Sequence, residues 1–138
     1  VSSDKGHPTD VHPKEKAPVG ERLARLALNQ TYGMCHVAQH GPTPVSAKEI
    51  KGKLTIEFSN ATELSTSDGK ALRGLEIGWA VGSLQEIPSE NIKFDGNLLI
   101  IEGYSNLRRV RYAWKPYTDA NLVNETGLPA STFEITIE

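Results

Sequence analysis

Every second residue of Lys53-Leu54-Thr55-Ile56-Glu57-Phe58 is apolar, and the alternation returns in Leu72–Val81 through Leu75, Ile77 and Trp79. It recurs in Leu107–Trp114 through Val110, Tyr112 and Trp114, and in Phe133–Ile137 at the C-terminal end. Successive strand residues point to opposite faces, so a period of two buries one face and wets the other. Asn97–Glu102 adds a compact apolar strand. No helical spacing separates these runs, so helical crossovers between parallel strands are excluded and antiparallel pairing is expected. Asp68-Gly69 and Asp95-Gly96-Asn97 are hairpin signals between them. Five or six short strands at this spacing predict a β-sandwich or jelly-roll-like domain over 46–138.

Ahead of the strands the pattern differs. Val19, Leu23, Leu26, Ala27 and Gln30, with Leu28 nearby, follow mostly helical spacing, while Lys14, Glu15, Glu21, Arg22 and Arg25 fill the other face. A helix is expected over about 15–32, with Pro18 in the first turn, where its missing N–H costs least, and Gly33 as the stop. Met34 to Val45, broken by Gly41, Pro42 and Pro44, reads as an irregular crossing segment. The chain is thus mainly β with one N-terminal helix. A lone amphipathic helix cannot bury its own stripe. It either packs on the sandwich or belongs to a domain whose remainder lies elsewhere, and the second is preferred.

Composition narrows the partners. Fifteen basic and 17 acidic residues in 138 leave no electrostatic reason to expect nucleic acid or an anionic membrane. The run Arg108-Arg109-Val110-Arg111 would be divided between two faces of a strand. No apolar run approaches the ~20 residues of a membrane helix. The sequence opens on Val1 and shows no signal peptide; it is expected to be a piece of a longer polypeptide. Cys35 is the single cysteine, so no internal disulfide can form. Sequons at Asn29, Asn60 and Asn124 point weakly to an extracytoplasmic setting.

The chemistry-bearing feature is Thr9-Asp10-Val11-His12-Pro13, in a loop just before the helix. A carboxylate near an imidazole can fix the ring tautomer and stabilise the imidazolium, which is the orienting-plus-base part of a nucleophilic triad. Pro13 biases His12 toward extended backbone, suited to projecting the ring into a cleft. No convincing serine nucleophile accompanies the pair: Ser131 lacks both a G-x-S-x-G elbow and a strand-turn-helix context. The plainer alternative makes Asp10 a turn residue and His12 a surface ring.

Asp10-Val11-His12-Pro13-Lys14-Glu15-Lys16, Val19-Gly20-Glu21-Arg22-Leu23-Ala24, Tyr32-Gly33, Val110-Arg111-Tyr112-Ala113-Trp114, Asn121-Leu122 and Gly127-Leu128-Pro129-Ala130-Ser131 occur in an order and spacing that resemble the C-terminal part of the sialate O-acetylesterase family, relatives of the SGNH (GDSL-type) hydrolases. The similarity runs from about Ser2 to Phe133. It implies a serine esterase that removes acetyl groups from sugar hydroxyls, with no cofactor or metal. An upstream α/β domain would supply the Ser nucleophile and the oxyanion groups, and this chain the His base, at His12. Residues 1–33 would be the last loop and helix of that SGNH domain, 34–45 a linker, and 46–138 an appended sandwich. The superfamily usually places its Asp three residues before the His, where this chain has Thr9. Asp10, two before, is the expected orienting carboxylate, with a Ser-His dyad left open.

Expected partners are therefore the upstream SGNH catalytic segment and an acetylated carbohydrate. The expected location is secreted, periplasmic or lysosomal, and the chain alone should be inactive. The alternative is a non-catalytic β-sandwich that binds carbohydrate or packs against another domain. Asp4 and His7 share the loop with His12 and could line the site, but as ordinary loop polars they need no role, and that plainer reading is preferred. His36 and His40 stand at a metal-ligand spacing only if helical, which Gly33 and Gly41-Pro42 oppose. Trp79, Tyr112 and Trp114 could stack on sugar, but their alternation with core positions favours packing inside the sandwich. Arg111 is left between solvent and a salt bridge to a neighbouring domain.

Overall fold

The computed structural model describes the chain from Val1 to Glu138 except Val11, Pro13, Val81 and Ser83. A 3-10 turn at Ser3–Lys5 precedes α1 (Ala17–Gln30). Among the described residues ten strands follow: β1 (Thr43–Ile50), β2 (Lys53–Ser59), β3 (Leu64–Thr66), β4 (Leu75–Gly78), β5 (Gln85–Glu86), β6 (Ile92–Asp95), β7 (Leu98–Glu102), β8 (Arg109–Tyr112), β9 (Leu122–Asn124) and β10 (Phe133–Thr136). They form two four-stranded sheets, ordered β1-β2-β7-β6 and β10-β8-β4-β5, and a β3-β9 ribbon. All pairings are antiparallel, as the alternation requires.

The alternating residues build one core between the sheets. Leu54, Ile56 and Phe58 of β2 lie in the same buried cluster as Ile77, Val110 and Tyr112 of the opposite sheet. Phe58 meets Phe133 edge-on across the core, centroids 5.8 Å apart, and Phe133 stacks at 5.4 Å on Tyr112, its cross-strand partner. The Tyr112 hydroxyl oxygen accepts the Leu122 N–H at 2.7 Å, so the buried phenol is not left unpartnered. Beyond β10 the chain stitches the sheets together: Glu138 N–H donates to the Ala47 carbonyl of β1 at 2.9 Å.

Several local expectations change. The segment through Gly41, Pro42 and Pro44 becomes strand at Thr43, ahead of Val45, and β1 escapes the alternation pattern for a physical reason. A bulge at Pro44/Ser46 shifts its register, and Val45 and Ile50 are exposed. Asp68-Gly69 is a turn but joins no hairpin, because β3 pairs with β9 rather than with β4. The run Leu72–Val81 contributes only Leu75–Gly78 as strand, and Val81 lies outside the described residues. Gly96-Asn97 does close a hairpin, between β6 and β7. Trp114 is not a core residue. Strand β8 stops at Tyr112, and Ala113 takes a left-handed φ of 54°, which breaks the period and turns Trp114 out to 49% exposure.

The helix falls inside the expected range, with Pro18 in the first turn and Thr31 as C-cap. Gly33, at φ 68°, sits in the left-handed turn that follows, where Met34 N–H returns to the Leu28 carbonyl. None of the helix residues is buried. Asn29 Nδ2 bonds the Val37 carbonyl at 2.8 Å, tying the helix to the chain that returns toward the sandwich. Gly41 allows that return, since a Cβ there would stand 1.9 Å from the Pro129 carbonyl oxygen.

Candidate functional site

Asp10 and His12 belong to no helix or strand, and contacts with α1 hold the start of the chain. Arg22, on α1, clamps Asp4 with two bonds of 2.7 and 2.8 Å and donates to the Val1 carbonyl at 2.8 Å. This is the planar bidentate geometry that a guanidinium and a carboxylate share. Burial pushes the Asp4 carboxyl up, but the hydrogen bonds and charge of Arg22 outweigh it and leave it below its ordinary value. Lys5 pairs with Glu15 at 2.8 Å, closing the loop on itself. The sequence offers Asp4 only as a loop polar or a residue lining the site, because its partner lies 18 residues away, on a helix face that reads as solvated.

Between those anchors the chain brings Asp10 and His12 together. Asp10 Oδ1 accepts the His12 backbone N–H at 2.9 Å, an Asx turn, and lies 3.4 Å from His12 Nδ1. One carboxylate oxygen thus faces both the backbone and the ring of the histidine. The arrangement can favour the tautomer with a proton on Nδ1, leaving Nε2 as the base. The His12 side chain is 85% exposed, and that of Asp10 43%. Pro13, expected to extend the backbone after His12, and Val11 between the pair lie outside the described residues. His7 is engaged locally, its Nδ1 3.3 Å from both Thr9 N and Thr9 Oγ1.

The remaining candidates separate. His36 and His40 lie outside any helix and are exposed, so their spacing places them on no common helical face. No cluster of three metal-ligating side chains occurs among the described residues. Tyr112 is core, Trp79 is half-buried with Nε1 donating to the Ser105 carbonyl at 2.9 Å, and Trp114 faces out. Arg111 pairs within its own sheet with Glu134, its register partner on β10, and its guanidinium lies 4.8 Å from the centre of the Trp114 ring. Arg109, two residues away and on the same strand face as the alternation requires, lies 3.8 Å from Glu134. Ser131 is exposed and lines a cleft of about 300 Å3 with Arg22, Leu26, His40 and Pro129.

No protein-family model matches this chain, and no curated protein does. Among solved structures it is similar to a carbohydrate acetylesterase from Xanthomonas citri, with a TM-score of 0.84 and 32% sequence identity. The alignment covers 96% of this chain and 30% of that one, so the chain spans about a third of the length of the esterase whose fold it shares.

Proposed function

We propose that this chain is the C-terminal portion of a serine carbohydrate O-acetylesterase of the sialate O-acetylesterase type, contributing His12 as general base and Asp10 as its orienting carboxylate. The observation that carries the proposal is the similarity of almost the whole chain to part of a carbohydrate acetylesterase. Together with it stands an exposed imidazole whose Nδ1 side faces a carboxylate. In this reading the SGNH segment upstream supplies the Ser nucleophile and the oxyanion donors. His12 Nε2 takes the serine proton as the hydroxyl attacks the acetyl carbonyl, then returns one to the departing sugar alkoxide. Asp10 holds the ring and stabilises the imidazolium between the two transfers. Loop 1–16 and α1 close the catalytic domain, the sandwich follows, and the protein works outside the cytoplasm.

The test is acetate release from acetylated sugars by the parent polypeptide, wild type against His12→Ala. Loss of a base from a nucleophilic triad lowers turnover by about a thousandfold or more. That loss is expected here, with the circular dichroism spectrum unchanged. Near-full activity in His12→Ala would remove His12 from the mechanism and leave the sandwich as a non-catalytic module.

A further inference from the structure

We propose that Arg22 is a positioning residue for the esterase chemistry: through Asp4 it fixes, on α1, the segment that carries Asp10 and His12. The proposal rests on the reading of His12 as general base and names the group on which that base depends for its place. A general base works only when its nitrogen stands within hydrogen-bond reach of the proton it removes. Asp10 and His12 do not secure that by themselves. Their contacts join residues two apart, so they orient the ring relative to its own backbone and leave open where that backbone stands.

Both ends of the segment are referred to α1. At the far end Glu15 leads through Lys16 into the first helical residue, Ala17. At the near end the Arg22 guanidinium, on the second turn of the helix, donates to both Asp4 carboxylate oxygens, at 2.7 and 2.8 Å. The partners are 18 residues apart in sequence, and His12 lies between them. Lys5 and Glu15, 2.8 Å from each other, draw the two ends together. At Gly6 the near end also meets the sandwich, since a Cβ there would stand 3.6 Å from the Tyr117 ring.

Of these contacts the Arg22–Asp4 pair is the strongest. Its side chains are 15% and 22% exposed, against 28% and 67% for Lys5 and Glu15. Water screens a shielded pair less than an open one, and a two-bond fork fixes direction as well as distance. A pair that served the helix alone would join neighbouring turns, as Arg25 and Glu21 do. Arg22 instead reaches out of the helix to a 3-10 turn that has no buried residue of its own to hold it. Misplacing a reacting group by about 1 Å can lower a rate by about a hundredfold. Releasing Asp4 allows a shift of that size, while the local contact between Asp10 and His12 survives.

The experiment uses the parent polypeptide with 4-nitrophenyl acetate as substrate, comparing wild type, Arg22→Ala, Arg22→Lys, Asp4→Asn, the Arg22→Ala/Asp4→Asn double variant and His12→Ala. In Arg22→Ala, kcat is expected to fall by about tenfold to a hundredfold, with KM within about twofold and the acidic limb of the kcat/KM pH profile unmoved. Arg22→Lys, which keeps the charge and loses the fork, stays below wild type, and so does Asp4→Asn, which keeps one acceptor. The double variant falls no further than Arg22→Ala, because the guanidinium that Asp4 would lose is already gone. Amide exchange of peptides spanning 5–15, followed by mass spectrometry on the same proteins, is faster in Arg22→Ala than in wild type. Wild-type kcat in Arg22→Ala overturns the proposal, and so does a fall in kcat with loop exchange unchanged. Losses that add in the double variant overturn it too. If Arg22→Ala fails to fold, the nearly isosteric Asp4→Asn decides by the same two measurements. An inactive His12→Ala beside a fully active Arg22→Ala sinks the positioning role alone, whereas full activity in His12→Ala sinks the esterase reading.

Discussion

Asp68 is an exposed carboxylate with a structural task. It accepts from Asn121 Nδ2 at 2.9 Å, from Arg73 at 2.8 Å and from the Lys70 N–H at 3.2 Å. The Asn121 bond, then Arg73 and Lys70, bring its pKa down to about 2 from an ordinary 3.8. A carboxyl lowered on folding adds stability above its unfolded value and loses it as pH falls through the folded one. Asp68→Asn should therefore melt below wild type at pH 5 and above, and the gap should close as the pH falls from about 4 to about 2. Thermal unfolding of both chains across that range measures it; a gap unchanged with pH would mean that Asp68 acts through shape alone. At this scale the sequence reveals a contact when partners are near in the chain, as with Asp10 and His12. Arg22–Asp4 and Asn121–Asp68 stay hidden, because the residues meet only once helix and sheets have formed.

Elements were legible where one face is buried and the other wet. Strands β4, β7, β8 and β10 fall within runs read from the sequence, and β2 exceeds its run only by Ser59. The others lack that signature for separate reasons. All three residues of β9 are buried, so no alternation marks it, and β5 has only two residues. The β1-β2 hairpin turns on Lys51-Gly52, with φ of 53° and 75° and Ile50 opposite Lys53. Two positive φ values in a two-residue loop match the type I′ turn, where Asn-Gly is the favoured pair. Lysine is a poor first residue for it. Lys51→Asn should raise the unfolding free energy by about 0.5 kcal/mol, seen as a higher urea midpoint at constant slope. A lower midpoint would show that the lysine side chain matters more than the turn.

For the whole molecule, sandwich and helix have different standing. The sandwich buries its own core, whereas α1 leaves Leu23 at 62% exposure and Leu28 exposed as well. Exposed leucines on a helix with no buried residue fit the proposed upstream segment. Leu23→Glu should then shift the unfolding free energy of the isolated chain by less than about 0.5 kcal/mol. The same substitution should lower the melting temperature of the parent polypeptide clearly; equal melting of both parent forms would leave α1 a free surface helix. The β part was readable as a class because periodicity is local. How loop, helix and sandwich meet was not, since that depends on contacts such as Gly41 against Pro129 that no period encodes.

One buried side chain also fixes an order of events. Asn124 is only 3% exposed, and its Nδ2 donates to the carbonyls of His40 and Asn60 while its Oδ1 accepts from Thr126 and Leu128. That nitrogen is the atom to which a glycan would be joined at the Asn124 sequon. Sugar attachment there and completion of this fold are mutually exclusive. In a cell able to glycosylate, a glycan on Asn124 would mark a molecule modified before it folded, and so distinguish misassembled chains from native ones.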